Sequence, residues 1–339
     1  MADKDERLLE INDLIVNFHT ESGALRAVDE ASFYVKKGET LGIAGESGSG
    51  KSISCMSIMR LVETPPGSYD GGEILFEGKP LMKINGKDRY IMPDKELRAI
   101  RGNDISYIFQ EPMTSLNPVY KIGDQIAEPM IVHRGMSKKE ALAESIRLLE
   151  MVRIPNPERI VKAYPFSLSG GMRQRVMIAM SLACEPKLLI ADEPTTALDV
   201  TIQAQVLALM NDLKERINAS IIFITHDLGV ISEMSDRVVI MYAGKVMETA
   251  PVDALFADPK HPYTRGLMQS RPDFATEDGR LRVIPGNVPD LTRRPSGCPF
   301  HPRCERAMDI CSREFPPAHQ FAEEHIAYCW DYEEGGAAQ

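Results

Sequence analysis

The stretch that most limits how this chain can fold is Gly45-Glu46-Ser47-Gly48-Ser49-Gly50-Lys51-Ser52, which satisfies G-x-x-x-x-G-K-[ST]. A short apolar run, residues 40–44, precedes it, and a helix-like run, residues 51–61, follows. Its glycines let the backbone curl into a nest of inward-pointing N–H groups, and a helix start adds positive potential, so the loop suits phosphate. Lys51 supplies a point charge for the terminal phosphates, and the Ser52 hydroxyl can ligate Mg²⁺. A Gly-Ser turn that binds nothing would not require a strand before it and a helix after it. The same order predicts an α/β fold with a mainly parallel core sheet.

The rest of the chain fits that frame. Residues 188–191 and 221–225 are apolar runs of the kind buried in a parallel sheet, while residues 8–18 and 31–35 read as half-buried strands. Ser137 and Glu140 have capping-box spacing, and Ala141, Leu142, Ser145, Ile146, Leu149 and Val152 follow at helical intervals. Residues 237–247, turning at Ala243-Gly244, predict an antiparallel hairpin. Beyond residue 250 proline becomes frequent, with 11 of the 23 prolines from Pro251 onward, so the tail is expected to be irregular.

With 339 residues, 43% hydrophobic and 26% charged, the chain is globular and can bury a large core. Its net charge of −10 argues against a general nucleic-acid binder. The charged start, Met-Ala-Asp-Lys-Asp-Glu-Arg, lacks the apolar core of a secretory signal, and no apolar run is long enough to span a bilayer. Any membrane role therefore needs a spanning partner, and the compartment is expected to be reducing.

Residues 187–193 form an apolar strand ending in Asp192 and Glu193. At the carboxyl edge of an open α/β sheet such groups sit beside a phosphate loop. Asp192 is then placed to hold the Mg²⁺ shell, and Glu193 to orient or polarise the attacking water. Alone, the pair would read as a solvated turn.

At this point the residues resemble the ATP-binding cassette (ABC) family. Leu168-Ser169-Gly170-Gly171-Met172, before a helix-like run to residue 183, matches the family signature; Gln110 in Phe109-Gln110-Glu111-Pro112 matches the Q-loop; Ala197-Leu198-Asp199 matches the D-loop; His226 in Thr225-His226-Asp227 matches the switch histidine. Each alone is a turn, a surface amide or a structural histidine; their order carries the resemblance. It implies that Gln110 joins Ser52 and Asp192 around Mg²⁺, that Glu193, Gln110 and His226 serve catalysis, and that Ser169, Gly170, Gly171 and Asp199 contact nucleotide. In the family the signature closes over ATP held by an opposite subunit. With one loop and one signature per chain, a second ABC ATPase is the expected partner, either another copy of this chain or, by resemblance, a related and non-identical one. Met172 replaces the commoner Gln. The aromatic residue that stacks on adenine is assigned to Phe18, with His19 beside it, although Phe18 equally fits the strand pattern as a core residue.

Finer details resemble the ATPase subunits of dipeptide and oligopeptide importers: residues 111–118, residues 191–205, His261-Pro262-Tyr263-Thr264, and Cys-Pro-Phe-His-Pro-Arg-Cys in the tail. The implied fold is a P-loop NTPase cassette with a mainly parallel core sheet, an N-terminal antiparallel β subdomain, an inserted α-helical subdomain and an irregular Cys-rich C-terminal extension. Its expected boundaries are residues 1–250 for the cassette, about 113–180 for the helical subdomain with the signature, and 251–339 for the extension. The implied assembly has two membrane-spanning permeases, two ATPases and an external substrate-binding protein, with no nucleic acid, at the cytoplasmic face of a bacterial or archaeal inner membrane. Nickel or glutathione import by the same machinery, and a soluble ABC ATPase acting on nucleic acid or ribosomes, are the competing functions. The latter commonly carries two cassettes or a coiled-coil or basic insertion, and the sequence has none of these.

Four of the six cysteines, Cys298, Cys304, Cys311 and Cys329, fall within 32 residues of the Pro-rich tail. Four thiolates fit tetrahedral Zn²⁺ or an iron–sulfur cluster, whereas disulfides are disfavoured in a reducing compartment. The C-x₅-C-x₆-C-x₁₇-C spacing is neither a zinc ribbon nor a ferredoxin run, and a ligand-free state is the third option. The resemblance implies a structural [4Fe-4S] cluster, with Zn²⁺ as its alternative. Cys55 and Cys184, in apolar helix-like surroundings, are expected to be buried packing residues.

Overall fold

The computed structural model describes residues 6–21, 23–110, 115–196, 199–217, 219–270 and 283–333. It divides into two compact units, one combining Met1–Ile91 with Thr225–Gln339 and the other Met92–Ile224. Elements are numbered along the chain.

The first unit starts with two long strands, β1 (Arg7–Thr20) and β2 (Gly23–Lys36), paired antiparallel with Leu9 opposite Val35 and Phe18 opposite Leu25. With β4 (Gly67–Phe76), β5 (Lys79–Asn85) and β6 (Asp88–Ile91) they form an antiparallel sheet in the order β2-β1-β4-β5-β6. Apolar residues at alternate positions, among them Leu14, Val16, Phe33 and Val35, are buried, as a sheet with one covered face requires.

Between these strands runs β3 (Thr40–Ala44), buried at every position, which leads through residues 45–50 into α1 (Lys51–Ile58). The expected strand is met residue for residue, while α1 ends three residues short of the expected Leu61. β3 lies parallel to β10 (Arg237–Tyr242), with Leu41 opposite Arg237 and Ala44 opposite Ile240. β10 turns through Ala243 and Gly244 into β11 (Lys245–Pro251), the hairpin expected from sequence.

Among its described residues the tail combines short helices, turns and one hairpin. After α8 (Val252–Ala257) and α9 (Pro262–Gln269) come short 3₁₀ turns and a hairpin, β12 (Ala318–Ala322) and β13 (His325–Tyr328). β13 pairs antiparallel with β11, Glu248 opposite Ala327, and so covers what would be an open sheet edge. Cys298, Phe300 and Cys311 enter the same buried cluster as Ala44, Ile240, Tyr242, Leu255 and Tyr263. Turns present these apolar groups at irregular spacing, which leaves no periodicity to read.

One buried carboxylate holds much of this together. Glu248, fully buried, accepts from the Lys260 amide (2.7 Å) and His325 Nε2 (2.8 Å) on one oxygen and from the His261 amide (2.9 Å) on the other. His261 Nδ1 then accepts from the Tyr263 amide at 3.0 Å, capping α9.

The second unit contains α2 (Asp94–Ile100), β7 (Ile105–Ile108), α3 (Ile122–Arg134), α4 (Lys138–Met151), α5 (Gly170–Leu182), β8 (Leu188–Asp192), α6 (Val200–Ile217) and β9 (Ser220–Thr225). β8 is parallel to both β7 and β9 and is wholly buried. Helices α3, α4 and α5 pack against one another. The Ser137–Glu140 capping box starts α4 as expected; Ala141, Ser145 and Leu149 are buried, Leu142 and Ile146 only half-buried, and Leu148 takes their place in the core. Among the described residues no helix is long and apolar enough to cross a membrane.

Candidate functional site

The expected functional residues are distributed over both units. In the first, the phosphate loop joins β3 to α1, and two of its glycines are dictated by close approach. Gly45 has φ +151° and a Cβ there would lie 2.1 Å from the Met241 carbonyl oxygen. Gly50, at φ +98°, has the Ala27 carbonyl oxygen 2.7 Å from its would-be Cβ. The Gly244 amide donates to the Ser49 carbonyl at 2.9 Å, tying the loop to the β10–β11 turn.

Lys51 is 5% exposed, and its ammonium lies along the loop, donating to Gly45 O (2.7 Å), Glu46 O (3.0 Å) and Ser49 Oγ (3.4 Å). A cation held against backbone carbonyls beside a helix start is a fitting receptor for a phosphate chain. Ser52 follows as the second residue of α1, and Ser47 and Gly48 stand at the loop's exposed crest, Gly48 having open space around its Cα.

Two residues that sequence reasoning missed reach Glu46. The Tyr263 hydroxyl accepts from the Glu46 amide at 2.9 Å, and Arg303 donates to both Glu46 carboxylate oxygens at 2.7 and 3.1 Å. Tyr263 lies in the His-Pro-Tyr-Thr stretch and Arg303 in the Cys-Pro-Phe-His-Pro-Arg-Cys stretch, both read as subfamily marks without a structural role. His226 is exposed where β9 ends, and Asp227 beside it caps α7 (Leu228–Met234) by accepting from the Gly229 amide at 2.7 Å. Phe18 is half-buried on β1 opposite Leu25 and Gly67, and His19 is exposed within 3.2 Å of Ser68 Oγ.

In the second unit Asp192, 5% exposed, ends β8 and accepts from the Tyr107 hydroxyl at 2.8 Å. Glu193 follows with φ +45°, a left-handed conformation unusual for a side chain of this size and of a kind often found at functional sites. Its amide donates to Ile224 O at 2.9 Å, and one carboxylate oxygen accepts from Gln110 Nε2 (3.1 Å) and Thr196 Oγ1 (2.8 Å). The structure therefore brings Gln110 and Glu193 together. Tyr107 and Thr196 are supports that sequence reasoning missed; nothing in their residue type marks them before the strand ends are placed.

The signature residues begin α5. Ser169 caps that helix, its Oγ accepting from the Met172 amide at 3.4 Å, and the space around Gly170 is open. A Cβ on Gly171 would come within 2.8 Å of Ile202 on α6. Asp199 caps the start of α6 by accepting from the Ile202 amide at 3.0 Å. Ser169, Gly170, Gly171 and Asp199 line one groove, with Arg153 and Arg175 also on it. A helix start with open glycine amides and two guanidinium groups nearby suits an anionic ligand. Residues 111–114, following the Q-loop glutamine, and Ala197 and Leu198 of the D-loop lie outside the described residues.

The donor set fits Mg²⁺ and a nucleotide chemically: a serine hydroxyl, an amide and a carboxylate are hard oxygen ligands. Ser52 lies in the first unit, Gln110 and Asp192 in the second.

The tail cysteines require a correction. All four are free, and they line one cavity together with His261, His301 and Asp331. Yet among the described residues no group of three or more His, Cys, Asp or Glu side chains is arranged to hold a metal ion, so the expected [4Fe-4S] cluster and its Zn²⁺ alternative at Cys298, Cys304, Cys311 and Cys329 are not supported. The space between them leaves room for at most about one water. Burial pushes the Cys298 thiol up to about 12 and that of Cys329 to about 11, so both are neutral and pack as small apolar groups. Cys298 and Cys311 belong to the buried apolar cluster and Cys304 packs against it. Cys55 and Cys184 are buried, as expected.

Comparison with known proteins places these features in a family context. Residues 28–196 match the family model described as ABC transporter, and residues 247–311 that described as oligopeptide/dipeptide transporter, C-terminal region. The chain is 51% identical over 325 residues to the oligopeptide transport ATP-binding protein OppD of Bacillus subtilis, covering 96% of this chain and 88% of the relative. It is 48% identical over 323 residues to the OppD of Salmonella typhimurium, covering 95% and 93%. A solved structure described as a dimeric, post-hydrolysis state of the ATP-binding cassette MJ0796 bound to ADP and Pi superposes with a TM-score of 0.61 at 28% identity, covering 72% of this chain and 98% of that one. The two relatives are described as ATP-binding proteins and the solved structure as an ATP-binding cassette.

Proposed function

The chain belongs to the ABC transporter family and is an ABC ATPase of the P-loop cassette fold, and we propose that it powers import of peptides by a membrane complex. One observation carries the reading: a single chain joins the cassette to the oligopeptide/dipeptide C-terminal region, with relatives near 50% identity over almost its whole length. Residues 1–250 form the nucleotide-binding cassette in this reading, with residues 113–180 as its helical part and 251–339 as the importer-type extension.

ATP is held by residues 45–52, with Lys51 on the terminal phosphates. Ser52, Asp192 and Gln110 are the residues that would hold Mg²⁺, which would neutralise phosphate charge. Glu193 draws the proton from the attacking water, and its two hydrogen-bond donors, Gln110 and Thr196, fix the direction of its carboxylate. His226 contacts the γ-phosphate. Ser169, Gly170, Gly171 and Asp199 present the surface that closes over ATP held by a second ATPase subunit. Phe18 stacks on the adenine.

Two permease subunits dock on the helical part. A groove lined by Ser115, Asn117, Tyr120, Asp124, Ile131 and Val132 supports this, since Tyr120 and Val132 expose large apolar surface there and Val119 does so nearby. The ATPase then sits peripherally on the cytoplasmic face of the membrane, and an external binding protein delivers the peptide. Closure of the ATPase pair by ATP is a population shift that the permeases and loaded binding protein favour. The test is ATP hydrolysis in membranes reconstituted with permeases and with peptide-loaded or empty binding protein. Stimulation by the loaded form is expected; equal rates, or stimulation by RNA instead, would overturn the reading.

A further inference from the structure

Glu46 is the single acidic residue of the phosphate loop. A bare carboxylate at that position repels a phosphate chain, so its charge has to be dealt with. The answer comes from 257 residues further along the chain. Arg303, its side chain 5% exposed, grips the Glu46 carboxylate through both terminal nitrogens, the bidentate geometry that makes Arg–carboxylate pairs strong and directional. The guanidinium is itself fixed on every side. It donates to Pro285 O (2.9 Å), Ile284 O (3.4 Å) and the Tyr242 hydroxyl (3.2 Å), and it stands 5.8 and 6.0 Å from the Tyr242 and Phe300 rings. Burial works against its charge, but the bonds to Glu46 and Tyr242 outweigh that and hold it protonated.

A second, independent contact reaches the same loop residue. Tyr263, fully buried, accepts from the Glu46 amide and packs against Tyr242 and Phe300 with ring centres 4.7 and 5.2 Å away. The backbone and the side chain of Glu46 are thus both held by residues from the segment after Pro251.

We propose that Arg303 is a positioning residue for nucleotide binding: it compensates and orients the Glu46 carboxylate so that the phosphate loop presents net attraction to ATP, and Tyr263 fixes the adjoining backbone. The importer-type tail thereby sets the affinity of the cassette to which it is attached. The proposal rests on residues 45–52 being the nucleotide loop.

The test measures MgATP affinity of the full chain by equilibrium titration. R303M leaves the carboxylate uncompensated, and its Kd is expected to rise on the order of tenfold at low salt, the gap narrowing at high salt. R303K keeps a charge but loses the fork, and falls between. The deciding variant is E46Q/R303M, in which the repelling charge is gone and affinity returns to within about threefold of wild type. A purely structural role for Arg303 would give no such recovery. If R303M does not accumulate folded, the pair R303K and E46Q/R303K reads the same recovery. Wild-type affinity in R303M, or a double variant as weak as the single, would overturn the proposal. K51A separates the two levels: if it also binds MgATP normally, the loop reading fails; if it alone loses binding, only the role of Arg303 fails.

Discussion

Acidification should destabilise the unit that carries the phosphate loop, and His261 lets the size of the effect be worked out. Its ring is buried and its Nδ1 accepts from the Tyr263 amide, which requires the neutral form. Burial brings its pKa down from 6.5 to about 4, Glu248 pulling the other way and Arg265 adding to the fall. In the unfolded chain the imidazole takes up its proton near pH 6.5; in the folded chain it does so only near pH 4. Between those values the unfolded state binds more protons, so stability falls as pH falls and the loss is complete below about pH 4. At 1.36 kcal/mol per pH step the loss is about 3 kcal/mol. Carboxylates also titrate in this range, so the measurement is a difference. In His261→Asn the side-chain oxygen still caps α9 but cannot protonate. Chemical denaturation at pH 7, 5.5 and 4 should show the wild type losing about 3 kcal/mol more than His261→Asn over the interval. Parallel pH profiles, agreeing within about 0.5 kcal/mol, would refute the reasoning, whatever the baseline stability of the variant.

Lys51→Ala removes the ammonium that lies along the loop, and MgATP affinity should fall at least about 100-fold in a direct binding assay while the fold persists by circular dichroism. Glu193→Gln keeps the shape of the side chain but cannot take a proton; ATP binding should survive and steady-state turnover should drop about 10²- to 10⁴-fold, trapping an ATP-loaded pair. Normal hydrolysis by that variant would assign the step to another residue. Gly45→Ala forces a Cβ to 2.1 Å from Met241 O at φ +151°, and thermal or denaturant unfolding should show more than about 3 kcal/mol of destabilisation.

How much of this could be read in the sequence depended on how locally each feature is encoded. The phosphate loop was legible because its glycines, lysine and serine are contiguous and its strand and helix adjoin it; β3 occupies the expected residues. The α4 start was legible because a capping box is a four-residue device. Its buried face was less so: helical spacing suggested Leu142 and Ile146, but packing against α3 and α5 buries Leu148 more deeply. Gln110 and Glu193 were each identified, yet only the structure puts them 3.1 Å apart, since they come from different strand ends.

The tail shows where the limit lies, and why one error and one omission there have the same origin. Cysteines that cluster in a Pro-rich segment suggested a ligand, because an aperiodic stretch offers no other visible source of cohesion. Its cohesion in fact comes from distant partners: Phe300 packs on Tyr242 and Tyr263, Cys298 and Cys311 join the same buried cluster, β13 pairs with β11, and Glu248 binds His325 and the amide of His261. These contacts join residues whose separation in sequence carries no pattern, so spacing cannot reveal them. Arg303 escapes the sequence for the same reason: Glu46 is expected there as one of the nucleotide-binding residues of the loop, and nothing in the spacing points to a partner 257 residues away. A segment held this way responds to its partners as a whole. Weakening the Glu248 hub should therefore loosen the turn that carries His261 and Tyr263, and with it the grip on the Glu46 amide, without touching any residue that meets the phosphates.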